Sequence, residues 1–171
     1  MDEGWMMPAE IFHWIDENVS EGSIILEFGS GEGSSILCEK YNLISIEHDL
    51  DWIGLADCQY IHAEILPNPI SDEYSDVGWY DPKKLENLPP EVEVIIIDGP
   101  PGDIGRLGII GFLEKLPGFK WLIVDDTDRA KEKILLQVLI EKFSPRSVDV
   151  IASSQKRNDG ESREASILSM R

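Results

Sequence analysis

The stretch Ser23-Ile24-Ile25-Leu26-Glu27-Phe28-Gly29-Ser30-Gly31-Glu32-Gly33-Ser34-Ser35 decides how the rest of the chain is read. Its apolar half, closed off by glycines, has the length and composition of a buried strand. Glycines at every second position then allow a tight turn and let a ligand approach the backbone closely. The turn opens onto a helix over 34–41, whose free N–H groups and dipole favour an anion such as a carboxylate or phosphate. A nicotinamide fingerprint would read Gly-x-Gly-x-x-Gly, but its sixth place is Ser34 here. Glu27 sets a carboxylate just before the turn, expected to point into the site, which suits a ligand carrying an ammonium group better than one carrying a pyrophosphate.

Outward from this turn, apolar strands and helices alternate. A helix is expected over 8–19, with Pro8 in its first turn and Ile11, Trp14, Ile15 and Val19 as its apolar stripe. Strands follow at 43–47, 60–65, 92–98 and 120–126, with helices at 49–58, 104–116 and 128–143. The last helix places Ile134, Leu135, Val138 and Leu139 on one face. Residues 66–90 hold five prolines and read as a long connection with at most one helical turn near 82–88. Strands rich in Ile and Val without alternation, separated by helices, imply a parallel sheet covered on both faces. Strands at 147–152 and 165–170 are joined only by a polar loop, which permits an antiparallel hairpin at the end of the sheet.

The chain has 171 residues and a formal charge of −18, and it reads as one domain over 1–171. Residues 1–105 carry 23 acids and 3 bases, whereas residues 106–171 carry 10 acids and 12 bases. Such a negative field disfavours a nucleic-acid footprint and an anionic membrane surface, both of which need many Lys and Arg. No run approaches a membrane span, and Met1-Asp2-Glu3-Gly4 lacks the basic start of a signal peptide, so a cytoplasmic location is expected. Cys38 and Cys58 are too few for a structural zinc site, and a disulfide is disfavoured in a reducing compartment.

The second strand ends in Glu47-His48-Asp49. An acid at this place holds a ribose diol by paired hydrogen bonds, and Glu47 lies 16 residues beyond Gly31, near the ~20 usual for that role. The two features point to an adenosyl ligand over the carboxyl edge of the sheet.

This combination resembles the class I S-adenosylmethionine-dependent methyltransferases. Glu27-Phe28-Gly29-Ser30-Gly31-Glu32-Gly33 is similar to their first motif, and Val94–Asp98 with Gly99-Pro100-Pro101 is similar to their fourth. The resemblance implies a three-layer αβα Rossmann-like fold with a seven-stranded sheet in the order 3-2-1-4-5-7-6, strand 7 antiparallel. It implies S-adenosylmethionine as cofactor, with Glu27 near the methionine ammonium and Gly29, Ser30 and Gly31 under the methionine and ribose. Glu47 would hold the ribose hydroxyls, His48 would lie beside the adenine, and Ala63, Glu64 and Ile65 would border its other side. Asp98 would line the transfer side and serve as general base where the acceptor needs one, with His62 a second choice. His62-Ala63-Glu64 replaces the usual Asp after the third strand. No Asn-Pro-Pro-Tyr follows the fourth strand, which disfavours amino-methylation of DNA or amides.

Asp98, Asp125 and Asp126 stand at the ends of neighbouring strands. Crowded carboxylates need a cation or a shared proton. Either Mg²⁺ on all three, as the resemblance to catechol-type O-methyltransferases would imply, or Arg106 and Arg129 as partners answers that need. Tyr80 and Asp81, in the long connection, are candidates for gating a substrate, while Trp5, Trp14 and Trp79 read as core or cover and His13 as surface. There is no Gly-x-Ser-x-Gly elbow and no Walker Lys. The expectation is methyl transfer to oxygen or nitrogen of a small molecule, without nucleic-acid or membrane partners. The alternatives are a divalent-metal-dependent O-methyltransferase, a non-catalytic S-adenosylmethionine-binding module and, least favoured, a nicotinamide-dependent dehydrogenase.

Overall fold

In the computed structural model, residues 6–157 and 160–170 are described. Among them, seven strands form one sheet: β1 (Ile24–Phe28), β2 (Asn42–Glu47), β3 (Gln59–His62), β6 (Val94–Ile97), β7 (Trp121–Val124), β8 (Ser147–Ala152) and β9 (Glu164–Ser169). Their order is β3-β2-β1-β6-β7-β9-β8. The first five run parallel, and β9 enters antiparallel between β7 and β8. With the strands of this sheet counted in chain order, this is 3-2-1-4-5-7-6. It is the Rossmann-like methyltransferase topology, and the hairpin expected from the polar 153–163 loop is its β8–β9 pair.

The alternation of side chains along each central strand explains why these strands are apolar throughout. Ile25, Val94, Ile96 and Ile123 point to one face, against Ile11, Phe12 and Ile15 of α1 (Ala9–Asn18) and Leu37 of α2 (Glu32–Cys38). Leu26, Phe28, Ile95, Ile97, Leu122 and Val124 point to the other, against Leu135 and Leu139 of α4 (Ala130–Phe143) and against residues of the 66–119 region. Ile134 does not share that face: it is 42% exposed, one position off the Leu135–Leu139 row.

Three stretches differ from expectation, the first being the strand expected over 60–65, which ends at His62 and leaves Ile65 to pair with Tyr80 in a separate ribbon. Residues 49–58 form successive turns rather than a helix. Gly54 adopts φ +87°, which breaks a helical ladder, and Trp52 and Ile53 donate only to carbonyls three residues back. The 66–90 connection holds more structure than its prolines suggest. A two-stranded ribbon pairs β4 (Ile65–Leu66) with β5 (Trp79–Tyr80), and α3 (Pro69–Glu73) lies between them. Asn68 caps α3 by accepting the Ser71 N–H at 2.9 Å. A 3₁₀ turn at Pro82–Leu85 supplies the expected helical turn, and the segment over 107–115 is also 3₁₀. Tyr80 is fully buried beside Phe28 and Trp79, so it packs the core and gates nothing; Asp81 caps the 3₁₀ turn through the Lys83 N–H. Trp14 stands edge-on to Trp121, and Trp5 lies outside the described residues.

The strand that leads into the Gly-rich turn depends on one close approach. Gly29 has φ +91°, and a Cβ there would sit 2.6 Å from the Gly99 Cα. Both turns leave adjacent parallel strands, and the Gly99 N–H donates to the Phe28 carbonyl at 2.6 Å. Gly29→Ala should therefore cost about 2–4 kcal/mol in urea unfolding, from backbone strain plus a steric clash. Gly22 has a similar φ of +79° but open space around it. Gly22→Ala isolates the strain alone and should cost about 1 kcal/mol. Equal losses at the two positions would show that the Gly29–Gly99 contact is not tight.

Candidate active site

The carboxyl ends of β1, β2, β6 and β7 open into one cleft of about 1080 Å³. That lies just above the ~300–1,000 Å³ range of ligand clefts. It has room for two small molecules. Its lining runs from Glu47, His48, Asp49 and Trp52, past Gly29 and Ser30, to Asp98, Arg106 and Asp126.

Glu47 organises the first end. Its Oε2 accepts the Ser30 N–H at 2.7 Å, while Oε1 accepts the N–H groups of His48 (2.7 Å) and Asp49 (2.8 Å). One carboxylate thereby ties the Gly-rich turn to the turn after β2. Ala63 donates its N–H to the Glu47 carbonyl at 2.9 Å, so the 63–65 segment begins beside this residue. Ala63, Glu64 and Ile65 do not themselves line the cleft, and Ala63 is fully buried. His62 Nε2 lies 3.1 Å from the His48 carbonyl.

Glu27 does not face the cleft. It is 3% exposed and sits behind the turn, accepting the hydroxyls of Ser34 (2.8 Å) and Ser45 (2.7 Å). Ser34 Oγ in turn accepts the Gly31 N–H at 3.1 Å and lies 3.1 Å from Ser30 Oγ. The strand acid thus holds the glycine turn through a serine. Gly31 forms the N-cap of α2, and Gly33 lets Phe12 of α1 pack closely, since a Cβ there would meet Phe12 at 2.6 Å.

Burial raises the Glu27 carboxyl to about 7, against the opposing pull of its two serine hydrogen bonds. The folded chain therefore keeps this proton where the unfolded chain, with the ordinary value of 4.5, has lost it. Stability from this group is complete below about pH 4.5 and is lost as pH rises towards about 7. Glu27→Gln retains an acceptor for both serines and removes the titration. Urea midpoints should then lose their fall across that window, and an unchanged pH profile would show that Glu27 is not the group responsible.

The second end holds the three strand-end aspartates. Asp98, Asp125 and Asp126 converge, with one oxygen of each within 4.8 Å of the others. Arginines surround them. The buried Arg106 guanidinium lies 3.5 Å from Asp98 and 3.2 Å from Asp126, and it also donates to the Pro100, Asp98 and Asp125 carbonyls. Arg163 donates to Asp125 at 3.0 Å, and Asp126 further receives Arg129 at 3.0 Å and Arg157 at 2.5 Å. Burial, reinforced by Asp125, pushes the Asp98 carboxyl well above the usual carboxylate range. Burial works the same way on Asp126, but Arg106, Arg157 and Arg129 outweigh it and hold that group below its ordinary value.

The charge problem read from the sequence is therefore answered by guanidinium groups and by the raised proton affinity of Asp98. A divalent ion would have to displace these arginines, so the residues present do not fit Mg²⁺. Arg106 and Arg129 were foreseeable partners. Arg157 and Arg163 were not, because they lie in the polar 153–163 loop. The spacing Asp125-Asp126-x-Asp128 was the one available signal, since Arg157 also pairs with Asp128.

No family model and no curated protein sequence matches the chain. Solved structures do. The METTL16 methyltransferase domain superposes with a TM-score of 0.60 at 14% identity, over 94% of this chain and 66% of that one. Magnesium protoporphyrin IX methyltransferase (ChlM) from Synechocystis PCC 6803, with S-adenosylmethionine bound, gives 0.58 at 11% identity, over 95% and 77%. A chain of the E. cuniculi Mtq2–Trm112 complex, described as responsible for methylating the eRF1 translation termination factor, gives 0.52 at 16% identity, with both chains covered in full. At these identities the likeness is one of fold. The fold is that of the class I S-adenosylmethionine-dependent methyltransferases.

Proposed function

We propose that this protein binds S-adenosylmethionine in the cleft and transfers its methyl group to oxygen or nitrogen of a small-molecule acceptor. The observation that carries this reading is a single continuous cleft over the carboxyl edge, with a Gly-rich turn and Glu47 at one end and the Asp98 cluster at the other. The site fits the donor in its chemistry. Absent side chains at Gly29 and Gly99 keep the floor low, and Glu47, His48 and Trp52 offer a carboxylate and ring systems for an adenosyl group.

Glu47 would meet the ribose through Oε2, which has the Ser30 N–H as its one partner, since Oε1 already accepts the His48 and Asp49 N–H groups and lies 2.7 Å from the His48 Nδ1, and His48 and Trp52 would flank the adenine. Gly29 and Ser30 would run beneath the methionine, with Glu27 acting on it only by fixing their turn. When bound, S-adenosylmethionine supplies an electrophilic methyl group on a sulfonium. The protein then has to align the acceptor for in-line attack and to exclude water. No covalent enzyme nucleophile is required. Asp98, in the aspartate cluster at the acceptor end, is the proposed catalytic residue. Its raised affinity for a proton makes it a stronger base, once ionised, than an ordinary carboxylate. A small acceptor is favoured over nucleic acid because the chain carries a net −18.

Titration calorimetry with S-adenosylmethionine and with NAD tests the cofactor. Binding of the first and not the second is expected, and the reverse would sink the reading. In a screen of small hydroxyl and amino acceptors, S-adenosylhomocysteine release identifies turnover. Asp98→Asn should then lower turnover by about 10²–10⁴-fold, the range for loss of a general base, with donor affinity nearly unchanged. Donor binding with no release across the screen would favour the non-catalytic module.

A further inference from the structure

The acceptor end of the cleft gathers cations in a strongly acidic chain, set among Asp98, Asp103 and Asp126 of the same lining. Arg106, Arg129, Lys156, Arg157 and Arg163 all line it, although the whole sequence holds only 15 Lys and Arg. Two of these guanidiniums are consumed by the protein. Arg106 spreads its donors over Asp98, Asp125, Asp126 and Pro100, and Arg157 spans Asp126, Asp128 and the Ser162 carbonyl.

The other three have donor capacity left. Arg129 is 40% exposed along its side chain, and among the described residues its one ion pair is to Asp126. Lys156 is exposed and makes no ion pair among the described residues. Arg163 is largely buried and binds Asp125, yet its Nε is buried without a hydrogen-bond partner, with Asp126 Oδ1 too far at 3.9 Å. A buried donor without an acceptor is costly, and this one belongs to a residue that lines the cleft. The two ends of the cleft also differ in where the cations lie: Glu47 and Asp49 stand where the cationic donor would lie, and all the lining arginines and the lysine stand opposite.

We infer that the acceptor carries an anionic oxygen group, a carboxylate or a phosphate, held by Arg129, Lys156 and the guanidinium of Arg163. This rests on the function proposed above and names the class of its substrate. Guanidinium forks match the paired oxygens of either group. A nucleic-acid backbone is a poor match, because it requires many free cations along a surface, not three in one cleft.

The test uses the full chain saturated with S-adenosylhomocysteine, titrated separately with inorganic phosphate and with acetate at constant ionic strength. Arginine side-chain N–H resonances are followed by NMR. At least one anion should shift the Arg163 Nε–H saturably, and comparison of the two arms tells which oxygen group the site prefers. The Arg129→Ala/Lys156→Ala variant should weaken that binding by at least about tenfold, as expected for loss of charge-assisted contacts. Its affinity for S-adenosylhomocysteine, measured by calorimetry, should stay the same, which also shows that it folds. With the nucleoside bound, absence of a saturable shift from either anion, or equal anion affinity in the variant, overturns the inference and leaves the cofactor reading standing. Failure of wild-type protein to bind S-adenosylhomocysteine overturns the cofactor reading itself, and the acceptor role with it.

Discussion

The structure depends on a sheet whose central strands are covered on both faces. β1, β6 and β7 can carry almost nothing but apolar side chains, since each successive residue is buried on one side or the other. Polar groups are thereby driven to the strand ends. At the carboxyl edge the chain leaves the core, and there Glu47, Asp98, Asp125 and Asp126 gather. The exception is Glu27, which stays within β1 and is tolerated because two serine hydroxyls satisfy it and burial lets it hold a proton. The site is a consequence of the core, not an addition to it.

Two polar systems then shape the cleft. At one end, backbone N–H groups converge on Glu47 and tie two turns together through one carboxylate. At the other, four arginines from separate parts of the chain converge on three aspartates. The first joins neighbours in a parallel pair, and its partners are within a few residues of strand ends. The second reaches from the 3₁₀ segment, from the start of α4 and from the β8–β9 loop, so it draws the antiparallel edge of the sheet into the site. The polar loop that permits the hairpin is thus also the loop that supplies Arg157 and Arg163.

Legibility followed the range of the interactions. Ser147–Ala152 is a strand over the expected residues, and α1 and β2 lie within a residue or so of expectation, because apolar periodicity and local turn residues specify them. The 49–58 segment misled because Trp52, Ile53 and Leu55 look helical, while Gly54 at positive φ ends any such ladder. The β4–β5 ribbon escaped notice because two-residue strands carry no period. Tyr80 looked accessible in a Pro-rich connection, yet it is packed between Phe28, Trp79 and His48.

The sequence by itself determined the alternation of strands and helices, the closing hairpin, the Gly-rich turn and the acids at the strand ends, since each rests on local pattern and on connection length, whereas the strand order was implied by the family resemblance and is seen in the sheet. Only the tertiary structure decided what those acids do. Glu27 turned out to sit behind the turn and Glu47 in front of it, though each lies in or at the end of an apolar strand. The aspartates turned out to face arginines from residues 106, 129, 157 and 163. The reason is physical: a carboxylate's role is set by which donors reach it through space, and those donors come from segments that share no pattern along the chain.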